Sequence, residues 1–216
     1  MDVQKRLEEI INSIDLYLKE LDLVREQVVK ISREVIRNSG YSITEIHKGN
    51  IEEAIKYLDL CKSNNNKLLE LVKNYPELAY SGLAYNAISE YVEAEVLVNI
   101  IQGKDIPGYK ELNVYPIAYI QGLGDVVGEL RRYALEAIRK NNFSKAWESL
   151  KLMESIYLEI RGLDYPDAIL PGVRHKADVA RALVDETKAM LIDLQSREDL
   201  KEYLEKLERG KKNDRK

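Results

Sequence analysis

The chain has 216 residues, a formal net charge of −4, and 45% hydrophobic against 32% charged residues. That balance suits a soluble, helix-rich protein with one sizeable core, gives no overall pull toward nucleic acid, and leaves no run of about 18 apolar residues to span a membrane. A single cysteine, Cys61, excludes an internal disulfide framework and fits a reducing compartment, so a cytoplasmic location is expected. The charged, helix-patterned start MDVQKRLEEI argues against a signal peptide.

Residues 2–38 place Leu7, Ile10, Ile11, Ile14, Leu18, Leu21, Val24, Val28, Ile31 and Val35 at helical spacing. Asn38-Ser39-Gly40 reads as the stop of that helix, and a short piece from Ser42 to Lys48 follows. Gly49-Asn50 offers a cap for a helix from Ile51 to about Asn74, which Pro76 ends. Next comes Leu83 to Ile101, apolar on nearly every side, then a loop over 103–115. Pro116 opens a helix to about Lys140, since proline suits a first turn. Asn141-Asn142 breaks it, and Ser144 reads as the cap of a helix to about Arg161. GLDYPDAILPG is a loop by its prolines and glycines, and the chain is helical again from Arg174 to about Leu207. No repeat and no alternating strand pattern appears. The expectation is an all-α fold of six or seven mostly long helices, one domain over 1–208 with a frayed charged tail over 209–216.

Two helices carry acids where apolar residues dominate. In the stretch from Leu83 to Ile101, Asn86, Glu90 and Glu93 share one stripe and Glu95 points away from it. Carboxylates in a buried helix must be paired, hydrogen-bonded or bound to a cation, because an isolated buried charge is too costly. In IQGLGDVVGELRRYALEAIRK, Asp125, Glu129, Arg132 and Glu136 share another stripe. Gly122, Gly124 and Gly128 each cost that helix up to about 1 kcal/mol of propensity, which makes sense where a backbone or ligand comes close. A solvated face with i, i+4 ion pairs is the plainer alternative for either helix.

EYVEA at 90–94 and GDVVGELRR at 124–132 resemble the two acidic motifs of the translin family, closest to its catalytic branch, translin-associated factor X. Further resemblances are REQVVKISRE at 25–34, His47-Lys48 and RHKADVARALVDE at 174–186, so the likeness spans roughly residues 23–197. It implies a metal-dependent endoribonuclease acting on single-stranded RNA. By position it implies Glu90, Glu93 and Asp125 as catalytic metal ligands, with Glu129 as a fourth. It further implies a hollow homo-oligomer of six to eight chains. The all-oxygen donor set suits Mg²⁺ or Mn²⁺. Two departures are visible: the family's catalytic subunit works with a separate translin chain, and its basic RNA-binding segments are only partly matched here.

Among other chemistries, nucleophile triads lack support because His47 and His175 are the only histidines and neither adjoins a nucleophile motif. Neither a Glu-x-x-His pair for a di-iron bundle nor a phosphate loop is present. Phosphate contacts are expected from local basic residues: Arg131 and Arg132, Arg174 and Lys176, with His47 and Lys48 added by the resemblance. Arg132 equally suits a pair with Glu129. Two other functions stay open: a non-cutting binder of single-stranded RNA or DNA, and a helical scaffold whose acids form structural ion pairs.

Overall fold

The computed structural model describes residues 3–213. Seven helices and no strand make up these described residues: α1 (Val3–Lys48), α2 (Ile51–Val72), α3 (Pro76–Ala79), α4 (Gly82–Ile101), α5 (Pro116–Arg139), α6 (Phe143–Arg161) and α7 (Val173–Asn213). The all-α expectation holds. The chain divides into two compact units, Met1–Leu123 and Gly124–Lys216, and the division falls within α5. α7 continues to Asn213, and residues 214–216 of the expected tail lie outside the described residues.

In the first unit α1 packs on α2 and α4, and α2 on α4. α4 is central because its surface is apolar on nearly every side, and it buries Ile88, Val92, Val96 and Leu97 completely. Each such side chain stabilises the fold by about 1.5–3 kcal/mol relative to exposure. α1 is one uninterrupted helix, which corrects the expected stop at Asn38-Ser39-Gly40. Asn38, Ser39 and Ser42 are buried rather than capping, and the Ser42 hydroxyl donates to the Ala54 carbonyl of α2 at 2.9 Å. Tertiary packing here overrides the local stop signal. The helix ends instead at Gly49, whose φ of 86° needs the left-handed region. Toward its start, α1 is tied down by two reciprocal contacts. Tyr75 donates to Glu20 at 2.9 Å, and Tyr17 donates to Glu77.

The expected caps are partly rearranged. Asn50 occupies the N-cap of α2, but its side chain donates to Glu45 at 2.7 Å instead of capping the helix. α6 is capped by Asn142, whose Oδ1 accepts from the Lys145 amide at 3.1 Å, so Ser144 is not the cap. In this second unit α6 packs on α7. Leu150 and Met153 of α6 are buried, as are Ala180, Val184 and Leu191 of α7, and Lys188 pairs with Glu154 at 2.9 Å.

Candidate functional site: two acidic helices and their basic neighbours

In the first unit, α4 carries Glu90, Glu93 and Glu95 and no basic residue. Glu93 is only 7% exposed, and Glu90 and Glu95 are half-buried. Such charges must be answered from other elements. The helix is held in place from α1, where the Ser39 hydroxyl donates to the Glu90 carbonyl at 2.6 Å. Asn99 donates to the Glu95 carboxylate at 3.2 Å. Beside these acids lies the buried Cys61 thiol, which donates to the Val35 carbonyl at 3.4 Å. Burial, and then the negative charges of Glu95 and Glu90, push that thiol up to about 12. The start of α5 comes very close to α4: a Cβ at Gly122 would sit 2.6 Å from the Ser89 carbonyl oxygen. Gly122 therefore exists for helix packing, one of the two reasons its sequence position suggests.

In the second unit, the acidic stripe of α5 is answered by basic residues. Lys176 of α7 places its ammonium on Asp125 Oδ1. Arg132 lies 3.9 Å from Glu129, one turn away, which is the pairing alternative in its loosest form. Arg131 donates to Glu186 of α7 at 2.8 Å. Arg139, and then Lys140, lower the Glu136 carboxyl to about 2. A Cβ at Gly124 would meet the Lys176 stem at 3.1 Å, whereas Gly128 has only Leu183 at 3.9 Å beside it.

The residues expected to touch nucleic acid are divided between the two units. His47 and Lys48 form the last turn of α1, where cations suit the helix dipole, and Lys48 pairs with Glu45 at 2.7 Å. Arg174 is exposed and lies 3.8 Å from Asp164. It borders a cavity of about 260 Å³ between the end of α6 and the start of α7, with Tyr157, Arg161, Tyr165 and Arg181 also in its wall. Sequence reading passed over this cavity because its residues come from a loop and two helices. It also missed a tyrosine cluster in the first unit, where the Tyr85 and Tyr115 rings stack at 6.1 Å and Tyr80 leans on both.

Glu90, Glu93, Asp125 and Glu129 offer oxygen donors only, the set that hard divalent cations prefer, and Glu93 is buried on a helix without a basic residue. In donor chemistry these residues fit Mg²⁺ or Mn²⁺. Among the described residues no three His, Cys, Asp or Glu side chains are gathered as a ready metal cage, and Asp125 already carries an ammonium.

A translin-family model matches residues 23–198. The chain belongs to the translin family. An uncharacterised protein of Methanocaldococcus jannaschii is 32% identical over 201 residues, which is 93% of this chain and 89% of that one. Among solved structures, AfC3PO in complex with duplex RNA is 36% identical with a TM-score of 0.78, covering 89% of this translin-family chain and 97% of its own. AfC3PO by itself gives the same identity and TM-score, covering 89% and 98%. Apo-NeC3PO, at 24% identity, has a TM-score of 0.77 over 84% of this chain and 95% of its own, a likeness of fold alone. Among the described residues, no helix is long and apolar enough to cross a membrane.

Proposed function

We propose that this translin-family chain is a metal-dependent endoribonuclease acting on single-stranded RNA, with Glu90, Glu93, Asp125 and Glu129 holding Mg²⁺ or Mn²⁺. The observation that carries the RNA part is the likeness to AfC3PO bound to duplex RNA, at 36% identity over nearly all of both chains. The catalytic part is supported by the oxygen-only donor set and by Glu93, buried on a helix that supplies no cation of its own. A bound divalent ion supplies an activated water and neutralises charge on the scissile phosphate. The chain's own residues do the rest. Ser39 fixes the backbone at Glu90, and Gly122 lets α5 approach α4 closely. Exposed Arg132 and Arg174, each only loosely paired, hold phosphate oxygens of the strand. We further assign the working form as a homo-oligomer of six to eight chains in the cytoplasm.

A second reading, an RNA binder that does not cut, is favoured by one observation: Asp125 is already satisfied by Lys176. The two separate on incubating the pure protein with labelled single-stranded RNA in Mg²⁺, Mn²⁺ or EDTA, with duplex RNA as competitor. Cleavage in Mg²⁺ or Mn²⁺ that EDTA stops supports the nuclease. Salt-sensitive binding without cleavage supports the binder.

A further inference from the structure

Asp125 and Lys176 lie 51 positions apart in the sequence and meet within the second unit. Their side chains are 33% and 34% exposed, so the contact sits at the edge of solvent and opens without disturbing a core. A second observation concerns the residue beside Asp125. A Cβ at Gly124 would stand 3.1 Å from Lys176 Cβ and 3.5 Å from its Cγ and Cδ. Glycine is a poor helix former, and here its missing side chain is what lets the lysine stem lie against α5. The stem is thereby aimed at the neighbouring carboxylate. Gly124, Asp125 and Lys176 work as one unit: a groove, an acid and a tethered cation.

We infer that Lys176 is the resident counter-ion of Asp125, which a divalent cation must displace in order to bind there. This rests on the metal-binding reading above. An ammonium and a divalent ion compete for the same carboxylate lone pairs, and a flexible lysine stem yields more readily than a forked guanidinium. While the ammonium is in place, Asp125 adds no uncompensated negative charge to its neighbourhood. Once the metal arrives, that ammonium is released beside the site, where it is available to a phosphate oxygen. Lys176 is thus a positioning residue that sets metal affinity, and its phosphate contact depends on metal being bound.

The test is calorimetric titration of the full chain with Mn²⁺, comparing wild type with Lys176→Met, which keeps the stem against Gly124 and removes only the charge. Removing a competitor that is about one-third exposed should tighten Mn²⁺ binding roughly two- to fivefold. Mn²⁺ should also raise the melting temperature more in the variant than in wild type. Gly124→Ala is the second variant, because its new Cβ pushes the lysine stem away while leaving the ammonium on the chain. It should tighten binding in the same direction by a smaller factor. Equal or weaker Mn²⁺ affinity in both variants, with wild type binding Mn²⁺, overturns the role of Lys176 and leaves the metal site standing. If no Mn²⁺ binds to any of the three proteins, the metal-site reading fails and this inference falls with it.

Discussion

Gly122→Ala should destabilise the protein, although the same change in an ordinary helix stabilises it. The added Cβ would lie 2.6 Å from the Ser89 carbonyl oxygen and 2.8 and 2.9 Å from Cβ and Cγ1 of Val92. All three contacts are shorter than side chains tolerate, and one is to α4 backbone, which has no rotamer to escape into. The start of α5 must therefore move off α4. Helix propensity returns up to about 1 kcal/mol, while overpacking a tight contact costs about 1–3 kcal/mol, or more where backbone must shift. Because α4 backbone must shift, the cost lies at the upper end, and the net loss is about 2 kcal/mol, or a fall of about 4–8 °C in Tm at the usual 2–4 °C per kcal/mol for a chain of this size. Gly40→Ala is the control. Gly40 is exposed in the interior of α1, and a Cβ there meets nothing within 4 Å. That variant should gain about 0.5–1 kcal/mol. Urea melts of the two variants beside wild type read both signs at once. A Gly122→Ala protein as stable as wild type would refute the claim that the glycine is there for a close helix approach.

The remaining expectations concern assembly, catalysis and pH. Glu93→Ala should abolish metal-dependent cleavage and keep RNA binding, and Mn²⁺ should raise the Tm of wild type but not of the variant. A drop in stability matching the roughly 3–5 kcal/mol cost of breaking a buried ion pair, with no stabilisation of wild type by metal, would turn the acids into scaffold pairs. Light scattering at micromolar concentration should give a multimer, since α1 exposes Leu7, Ile10, Ile11, Ile14 and Leu18 and α7 exposes Leu200, Leu204 and Leu207; a monomer would remove that proposal. Cys61 should make stability fall at alkaline pH. The folded thiol titrates at about 12, whereas an unfolded thiol loses its proton near 8.5. The folded state therefore binds more protons between those values, so stability is full below about 8.5 and declines as pH rises toward 12. Cys61→Ala should flatten the alkaline limb of the urea midpoint, and an unchanged slope would assign that limb to other groups.

Helix positions were legible wherever periodicity met a strong breaker. Pro116 opens α5 as expected, and the proline- and glycine-rich segment after α6 is a loop. The misreadings share a cause in kind, that a polar side chain near a helix end can serve the core, a cap or a neighbouring side chain. Asn38 and Ser39 look like a helix end in sequence, but in the fold they are buried, and Ser39 braces Glu90. Asn142, read only as a breaker, is the cap of α6. At the candidate site, burial of Glu93 could be anticipated from the apolar neighbours on its helix. The partner of Asp125 could not, because no local pattern links residues 51 positions apart. The glycines gave the right hint in two cases of three: Gly122 and Gly124 each have a close neighbour, whereas Gly128 has ordinary packing.

The long first helix also bears on how amide exchange varies along the chain. Residues 3–20 of α1 are exposed throughout, and before Val28 only Leu21 and Val24 are partly covered, so about 27 Å of helix at 1.5 Å per residue finds no core within its own chain. In a single chain its apolar stripe stays wet, and the Tyr17–Glu77 and Tyr75–Glu20 hydrogen bonds tie it back to its own unit. If the proposed homo-oligomer forms through this stretch, its amides should exchange faster in dilute protein than in concentrated protein. The amides beyond Val28, where α1 packs on α2 and α4, should stay protected at either concentration.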